Sequence, residues 1–326
     1  MAETASTART FTDDEMEQMR AEVRVISEAE GRTLTELARE AGIAYGTFTG
    51  WVGGKYQGNN DRVAGDVQIW LASRSERRLA SAALPAAPAF VATKTATRVI
   101  EVLQWAQIGP DMVVVAGGAG IGKTQACNHY AATNPNVWMA TMQPATANVH
   151  TMLQAVAGAV GVSEKSPTRL ATAVGERVAG TNGLVIVDEA QHLVTKALDQ
   201  LRSLHDLYGI GVALVGNESV YGRLEGGEGR KPEFAQLYSR VGMRFTRPRP
   251  YADDICKLIS AWNVEDADAV RLLKAIAGKP GALRGLTKTL RLASMLAAGD
   301  KTPPSAPHVS AAWARLSDTG SREGAA

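Results

Sequence analysis

Cysteine is scarce in this chain. Its 326 residues hold two, Cys127 and Cys256, far apart and without the paired spacing of a metal site. That argues against a disulfide framework or a zinc module and fits a reducing compartment. An excess of one charge is missing too. Lys and Arg number 35 against 33 Asp and Glu, a formal net charge of +2, so any face that binds a polyanion has to be a local patch. No apolar run approaches the ~18 residues that cross a bilayer, and residues 1–14 are polar, without the apolar core of a signal peptide. These absences predict a cytoplasmic protein with no membrane partner. What is present is ordinary globular composition, 45% apolar and 21% charged, which argues against general disorder. The length gives room for two or three domains.

Punctuation residues divide the chain. Residues 1–10 read as a loose Ala/Thr-rich arm. Thr12-Asp13-Asp14-Glu15 is a capping-box pattern, and Met16, Met19, Val23 and Ile26 follow at helical spacing up to Gly31. Two short helices reach about Trp51, a Gly/Asn-rich turn covers 53–60, and a further helical stretch covers about 63–79. Ala and Pro then dominate, with Pro85 and Pro88 favouring extended backbone. Beyond them short apolar runs at 112–116, 137–142, 184–187, 212–215 and 243–245 alternate with helical segments, the pattern of a parallel sheet buried on both faces. From about Pro250 strand signals stop, and helical patterns occupy 253–261, 266–277 and 282–298, with a last piece near Trp313. The predicted organisation is an all-α N-terminal domain over 1–79, a linker over 80–93, an α/β core over 94–250, an α-helical lid over 251–316 and a disordered tail over 317–326.

The strongest motif follows the first core strand. Gly117-Gly118-Ala119-Gly120-Ile121-Gly122-Lys123-Thr124 fits G-x-x-x-x-G-K-[ST], between a strand and a helix as the P-loop mechanism requires. Glycines let backbone N–H groups converge on phosphate oxygens, and the helix N-terminus adds favourable charge. Lys123 would bridge the β- and γ-phosphates of ATP, and the Thr124 hydroxyl would bind Mg²⁺. Downstream, Leu184-Val185-Ile186-Val187 delivers Asp188 and Glu189 to the C-terminal edge of a strand, where open α/β sheets bind ligands. Asp188 would hold Mg²⁺ and Glu189 would orient or deprotonate the attacking water. By itself the pair would also serve as a helix N-cap. Asn217 ends another buried strand, where an amide either positions the same water or simply turns the chain.

These elements resemble the AAA+ ATPase family over roughly residues 95–316. The resemblance makes Gly117 to Thr124 the Walker A segment, Leu184 to Glu189 the Walker B segment and Asn217 the sensor-1 residue. It places Arg240, in Leu237-Tyr238-Ser239-Arg240, where the family carries an arginine finger that reaches a neighbour's nucleotide. Arg284, in Gly281-Ala282-Leu283-Arg284, falls at the sensor-2 position on the lid.

Residues 34–52 carry helix-turn-helix spacing. Ala38 is small enough for a close crossing, Gly42 sits at the turn, and Ile43, Phe48 and Trp51 supply the apolar lock. The segment resembles the phage-repressor type of helix-turn-helix. Its recognition helix, about 45–52, would expose Tyr45, Thr47 and Thr49 to a DNA groove, with Arg39 and Lys55 near phosphates. A non-DNA helical corner has a similar pattern. The helix is short of Arg, Asn and Gln, which predicts modest base discrimination and mostly backbone contact. A second basic region, Arg230-Lys231 and the run holding Arg244, Arg247 and Arg249, reads either as a solvated face or as a surface that tracks the DNA backbone.

The combination of this module with Gly-Lys-Tyr-x-Gly-Asn-Asn (54–60), Asp-Glu-Ala-Gln-His (188–192) and Ser-Arg-Val-Gly-Met-Arg (239–244) resembles the Mu B family of transposition target-DNA activators over about residues 12–316. That resemblance implies a DNA-stimulated ATPase which forms a helical filament on duplex DNA with little sequence preference. It also implies delivery of the DNA to a DDE transposase that in turn stimulates hydrolysis. A DExH helicase would need two motor domains, for which the chain is too short. A replication-type loader or initiator would recruit a helicase instead, and an ATP-switched transcriptional regulator would bind a restricted sequence tightly.

Overall fold

Helix α1 (Asp13–Glu30) starts where the Thr12–Glu15 pattern puts it. Glu15 N–H donates to Thr12 Oγ1 at 3.2 Å and Thr12 N–H donates to Glu15 Oε2 at 2.9 Å, so two otherwise orphaned donors are satisfied reciprocally. Thr33 and Glu36 repeat the device at α2 (Leu34–Ala41), which ends at Gly42 with φ +70°. The chain turns directly into α3 (Tyr45–Val52), and Leu37, Ala38, Phe48 and Trp51 are buried in the corner so formed. Arginines of α1 hold the far end of α3. Arg20 Nε donates to Trp51 O at 2.8 Å and Arg24 Nη2 to Val52 O at 2.9 Å, placing cations where helix carbonyls are left unpaired. The next helix, α4 (Asn60–Ala82), starts earlier than the pattern predicts because Asn59 Oδ1 accepts from Arg62 N–H at 2.9 Å. It also runs past residue 79 to Ala82, since alanine is the best helix former and residues 80–82 hold neither glycine nor proline.

The computed structural model describes residues 9–82, 88–220 and 239–317. Two units, Met1–Leu84 and Pro85–Ala326, divide the chain. Arg230, Lys231 and the expected tail after Ser317 lie outside the described residues. No helix among the described residues is long and apolar enough to cross a membrane.

In the second unit the elements run α5 (Lys94–Ile108), β1 (Met112–Gly117), α6 (Lys123–Thr133), β2 (Val137–Thr141), α7 (Val149–Val160), α8 (Pro167–Val178), β3 (Leu184–Asp188), α9 (Thr195–Tyr208), β4 (Gly211–Gly216) and β5 (Val241–Arg247). Helices α10 (Ala252–Ala261), α11 (Ala267–Ala277), α12 (Ala282–Gly299) and α13 (Ala306–Leu316) follow β5. The five strands form one parallel sheet in the order β2-β3-β4-β1-β5. Met112, Val114 and Ala116 of β1 pack toward α7, α8 and α9, while Val113 and Val115 pack toward α5 and α6. Both faces are covered, which is why these strands read as unbroken apolar runs. Strand β5 is longer than residues 243–245. It pairs with β1 from Val241 to Arg247, with a register shift opposite Met112 and Val113. Gly242 sits at that shift, and a Cβ there would collide with the Asp111 carboxylate.

The C-terminal helices bury their own core around Leu273, Leu286, Leu290 and Val309. A buried carboxylate ties them to the start of the α/β layer. Asp254 of α10 is fully buried and accepts from Thr95 N–H at 3.2 Å, from Tyr251 N–H at 3.0 Å and from the Thr95 hydroxyl.

Candidate active site

Strand β1 ends at Gly117, α6 begins at Lys123, and the turn between them forms the floor of the site. Gly120 and Gly122 adopt φ +78° and +101°, a region that side-chain-bearing residues enter only at a cost. Gly117 and Gly118 are required for another reason. The chain leaving β5 passes directly over them, Gly118 N–H donates to Arg247 O at 3.0 Å, and a Cβ on either glycine would strike the Arg247 or Pro248 carbonyl. Ile121 anchors the middle of the loop in the core, and Ala119 stays exposed. Lys123 Nζ folds back to donate to Gly117 O at 2.8 Å and Gly118 O at 2.9 Å. Burial pulls its ammonium below the usual lysine range, against the opposing pull of Asp188 and Glu189.

Because β4 lies between β1 and β3, three candidate residues meet along one edge of the sheet. Ala116 pairs with Gly216 and Val187 with Leu214, so Gly117, Asn217 and Asp188 end adjoining strands. The Thr124 hydroxyl donates to Asp188 Oδ2 at 2.9 Å. Burial pushes the Asp188 carboxyl above the usual carboxylate range, with the Thr124 and Glu189 N–H bonds pulling the other way. A hydroxyl and a carboxylate held this close fit Mg²⁺, a hard cation that takes one or two protein oxygens and completes its shell with phosphate and water. Among the described residues no cluster of three or more His, Cys, Asp or Glu forms an all-protein cage.

Glu189 follows in the left-handed region at φ +55°, a conformation that costs a non-glycine residue about 1 kcal/mol or more and concentrates at functional sites. Its carboxylate accepts from Gln191 Nε2. Asn217 both turns the chain and lines the site. Its Oδ1 accepts from Ser219 N–H at 2.9 Å and Ser219 Oγ at 2.6 Å, which leaves its amide nitrogen as the group able to donate into the cleft.

That cleft has a volume of about 660 Å³. Glu189, Gln191 and Asn217 line one side, and Leu283 and Arg284 of α12 line another. The helical unit comes so close that a Cβ on Gly120 would strike Gly281 O. Arg284 is exposed beside the loop, near enough for its charge to depress the Lys123 ammonium. Phe90, Val91, Leu258 and Trp262 give the cleft an apolar end. These four and Gln191 escaped sequence reasoning. Gln191 stood inside the Asp-Glu-Ala-Gln-His segment, and its polarity beside Asp188 and Glu189 was the available signal. The apolar four come from distant segments that only the fold joins.

The remaining candidates lie elsewhere. Arg240 immediately precedes β5, at the strand-start edge of the sheet, where its Nε lies 3.2 Å from Asp206 Oδ1. Arg244 and Arg247 occupy opposite faces of β5 by strand alternation, so the basic run does not form one surface. The Arg247 guanidinium stacks 3.9 Å from the Tyr251 ring centre and donates to Arg249 O at 3.0 Å, while Arg249 is exposed. In the N-terminal unit Tyr45, Arg39 and Lys55 are exposed and Thr47 and Thr49 half-buried. The Thr49 hydroxyl is engaged by its own helix, donating to Tyr45 O at 2.8 Å.

Comparison with known proteins bears on this arrangement. Residues 107–224 match the family model described as AAA domain, and residues 239–316 match that described as Mu B transposition protein, C terminal. The chain is 39% identical over 284 residues to the ATP-dependent target DNA activator B of Escherichia phage Mu, covering 86% of this chain and 89% of that protein. It is 36% identical over 262 residues to the Mu-like prophage FluMu DNA transposition protein B of Haemophilus influenzae, covering 79% of this chain and 90% of that one. In fold alone it is similar to a chain in the structure of Drosophila ORC bound to DNA. That match has a TM-score of 0.50 and 16% identity over 73% of this chain and 65% of that one.

Proposed function

This chain belongs to the Mu B family of ATP-dependent target DNA activators, built on an AAA ATPase core, and from that membership we propose that it assembles on duplex DNA with ATP and presents the DNA to a DDE transposase. The observation that carries the chemical part is the Thr124 hydroxyl bonded to Asp188 at 2.9 Å, with Glu189 alongside facing the cleft.

In this reading the backbone N–H groups of the Gly117 to Thr124 segment cradle the ATP phosphates, and Lys123 exchanges its bonds to Gly117 O and Gly118 O for phosphate oxygens. Thr124 and Asp188 would hold Mg²⁺, which when bound neutralises charge on the β- and γ-phosphate oxygens. Glu189 takes the proton of a water attacking the γ-phosphorus while the bond to the bridging oxygen breaks. The Asn217 amide orients that water or the phosphoryl oxygens, and Arg284 stabilises the charge from the α12 side. Arg240 completes the site of a neighbouring copy, so that ATP favours a head-to-tail assembly, which winds into a helix when its rotation does not close.

On the DNA side, Arg39 and Lys55 around α3 contact phosphates, with Tyr45, Thr47 and Thr49 at the groove. Of the arginines around β5, the exposed Arg249 is the one that adds a phosphate contact, since Arg244 and Arg247 lie on opposite faces of the strand. Helix α3 carries no basic residue, so its contribution to base reading is small and binding is mostly sequence-independent. DNA then stimulates hydrolysis by aligning neighbouring copies. The test is electron microscopy of the protein on random-sequence duplex with ATP, ADP or no nucleotide. Filaments that need ATP on arbitrary DNA are expected. Nucleotide-indifferent binding to a restricted sequence, without filaments, would overturn the reading.

A further inference from the structure

Gln191 stands between the two sequence elements assigned to hydrolysis. It follows Glu189 in the short 3-10 turn Ala190–His192 that leaves β3, and its side chain is half-buried on the cleft wall. Both ends of its amide are engaged. Nε2 donates to Glu189 Oε2, and Oε1 accepts from Asn217 N–H at 3.3 Å. One side chain thus links the carboxylate after β3 to the backbone at the tip of β4, across two neighbouring strands.

Two further observations show that the fold accommodates this bridge. Glu189 holds φ +55°, which turns the chain sharply enough for residue 191 to come back beside it. Gly216 is the last residue of β4, and a Cβ there would strike Gln191 Oε1 and Val220 Cγ2. The glycine is therefore what leaves room for the amide to reach Asn217.

We propose that Gln191 is a positioning residue for ATP hydrolysis, fixing the Glu189 carboxylate relative to the tip of β4 so that the base and the water-orienting amide of Asn217 act in register. The inference rests on the assignment of Glu189 as the base. The Nε2–H group donates to one carboxylate oxygen and leaves the other to accept from the attacking water. A movement at Asn217 on phosphate contact passes through Oε1 to the carboxylate. Misplacing a reacting group by about 1 Å costs roughly 100-fold in rate, so a residue with this role governs turnover rather than nucleotide affinity.

The experiment compares Gln191→Met, which keeps the shape and removes both polar ends, with Gln191→Glu, which keeps an acceptor toward Asn217 and sets a like charge against Glu189. ATP affinity is measured by titration and turnover by steady-state hydrolysis on duplex DNA. Both variants are expected to lower kcat by roughly 10- to 100-fold while ATP affinity stays within about twofold, with Gln191→Glu no faster than Gln191→Met. A structural role alone would lower affinity and thermal stability together with turnover, and that result overturns the proposal. So does a kcat for Gln191→Met close to the parent's. Glu189→Gln run in parallel separates the two assignments. If it hydrolyses at the parent rate, the base is wrongly assigned. If it is inactive while Gln191→Met is unimpaired, only the role of Gln191 falls.

Discussion

Lys123 shows at the scale of one residue how the site is poised. Its ammonium is partly desolvated and donates to two loop carbonyls, while the Asp188 carboxyl is pushed up by burial. A triphosphate bound with its cation, as proposed, would relieve both groups. Mg²⁺ with ATP should therefore stabilise the protein, by about 2.7 kcal/mol at a hundredfold excess over Kd. Lys123→Ala should abolish that gain along with ATP-dependent DNA binding. Thermal unfolding with and without nucleotide checks this, and an equal nucleotide-induced rise in Tm for the variant would remove Lys123 from the site. The turn that gathers residues 117–124 between β1 and α6 was legible in the sequence, because the motif is contiguous and its glycines stand where the backbone needs them. The separate reason for Gly117 and Gly118, the passage of residues 247–248 overhead, was not, because it joins segments far apart in the chain.

At the scale of elements, short-range physics was readable and long-range pairing was not. The Thr12–Glu15 cap, Gly31 as a helix end and the apolar strands β1, β3 and β4 follow from local pattern. Strand β5 was only partly legible, because as an edge strand it mixes Arg244 and Thr246 with apolar residues. The insertion of β4 between β1 and β3, and the Thr95–Asp254 tie across 159 residues, have no local signature. That tie predicts a large effect. Asp254→Ala leaves the Thr95 N–H and hydroxyl buried without a partner, at about 1–3 kcal/mol for each unsatisfied group, and the part-buried Tyr251 N–H without its acceptor. Denaturant unfolding should show a loss of at least about 2 kcal/mol, whereas a loss under 1 kcal/mol would mean that water enters the joint.

The caps make a second prediction at this scale, about pH. The Thr33 N–H bond holds the Glu36 carboxyl below its ordinary value of 4.5, and the Thr12 N–H bond does the same for Glu15. A carboxyl whose pKa is depressed in the folded state contributes its stabilisation above the unfolded value, and loses it as pH falls through the folded one. The N-terminal helices should therefore weaken below about pH 4.5. Thr33→Ala removes the hydroxyl that meets both the Glu36 N–H and the Glu36 carboxylate. It should cost about 1 kcal/mol at neutral pH and less once the carboxylate is protonated, when only the Glu36 N–H bond remains to be lost. Helicity followed by circular dichroism against pH tests this, and a cost independent of pH would contradict it.

The whole molecule decides what Arg240 can do. It precedes β5 at the strand-start edge, while its own P-loop leaves β1 beside Arg247 at the other edge. Six residues of strand separate the two positions, roughly 20 Å, which no arginine side chain spans. A finger at Arg240 therefore serves another copy or none. Asp206, itself bonded to Arg202 at 2.5 Å, holds Arg240 in place. The Arg240 side chain is 53% exposed, and a pair of this kind is worth about 1 kcal/mol or less, so phosphate oxygens can displace the aspartate. Arg240→Ala should keep ATP affinity and lose DNA-stimulated hydrolysis. Glu189→Gln should assemble and also fail to turn over. Mixed one to one, the two inactive variants should regain activity, because at about a quarter of random head-to-tail junctions an intact site of one faces an intact arginine of the other. Activity that stays at the level of the separate variants would show that Arg240 does not act across a junction between copies.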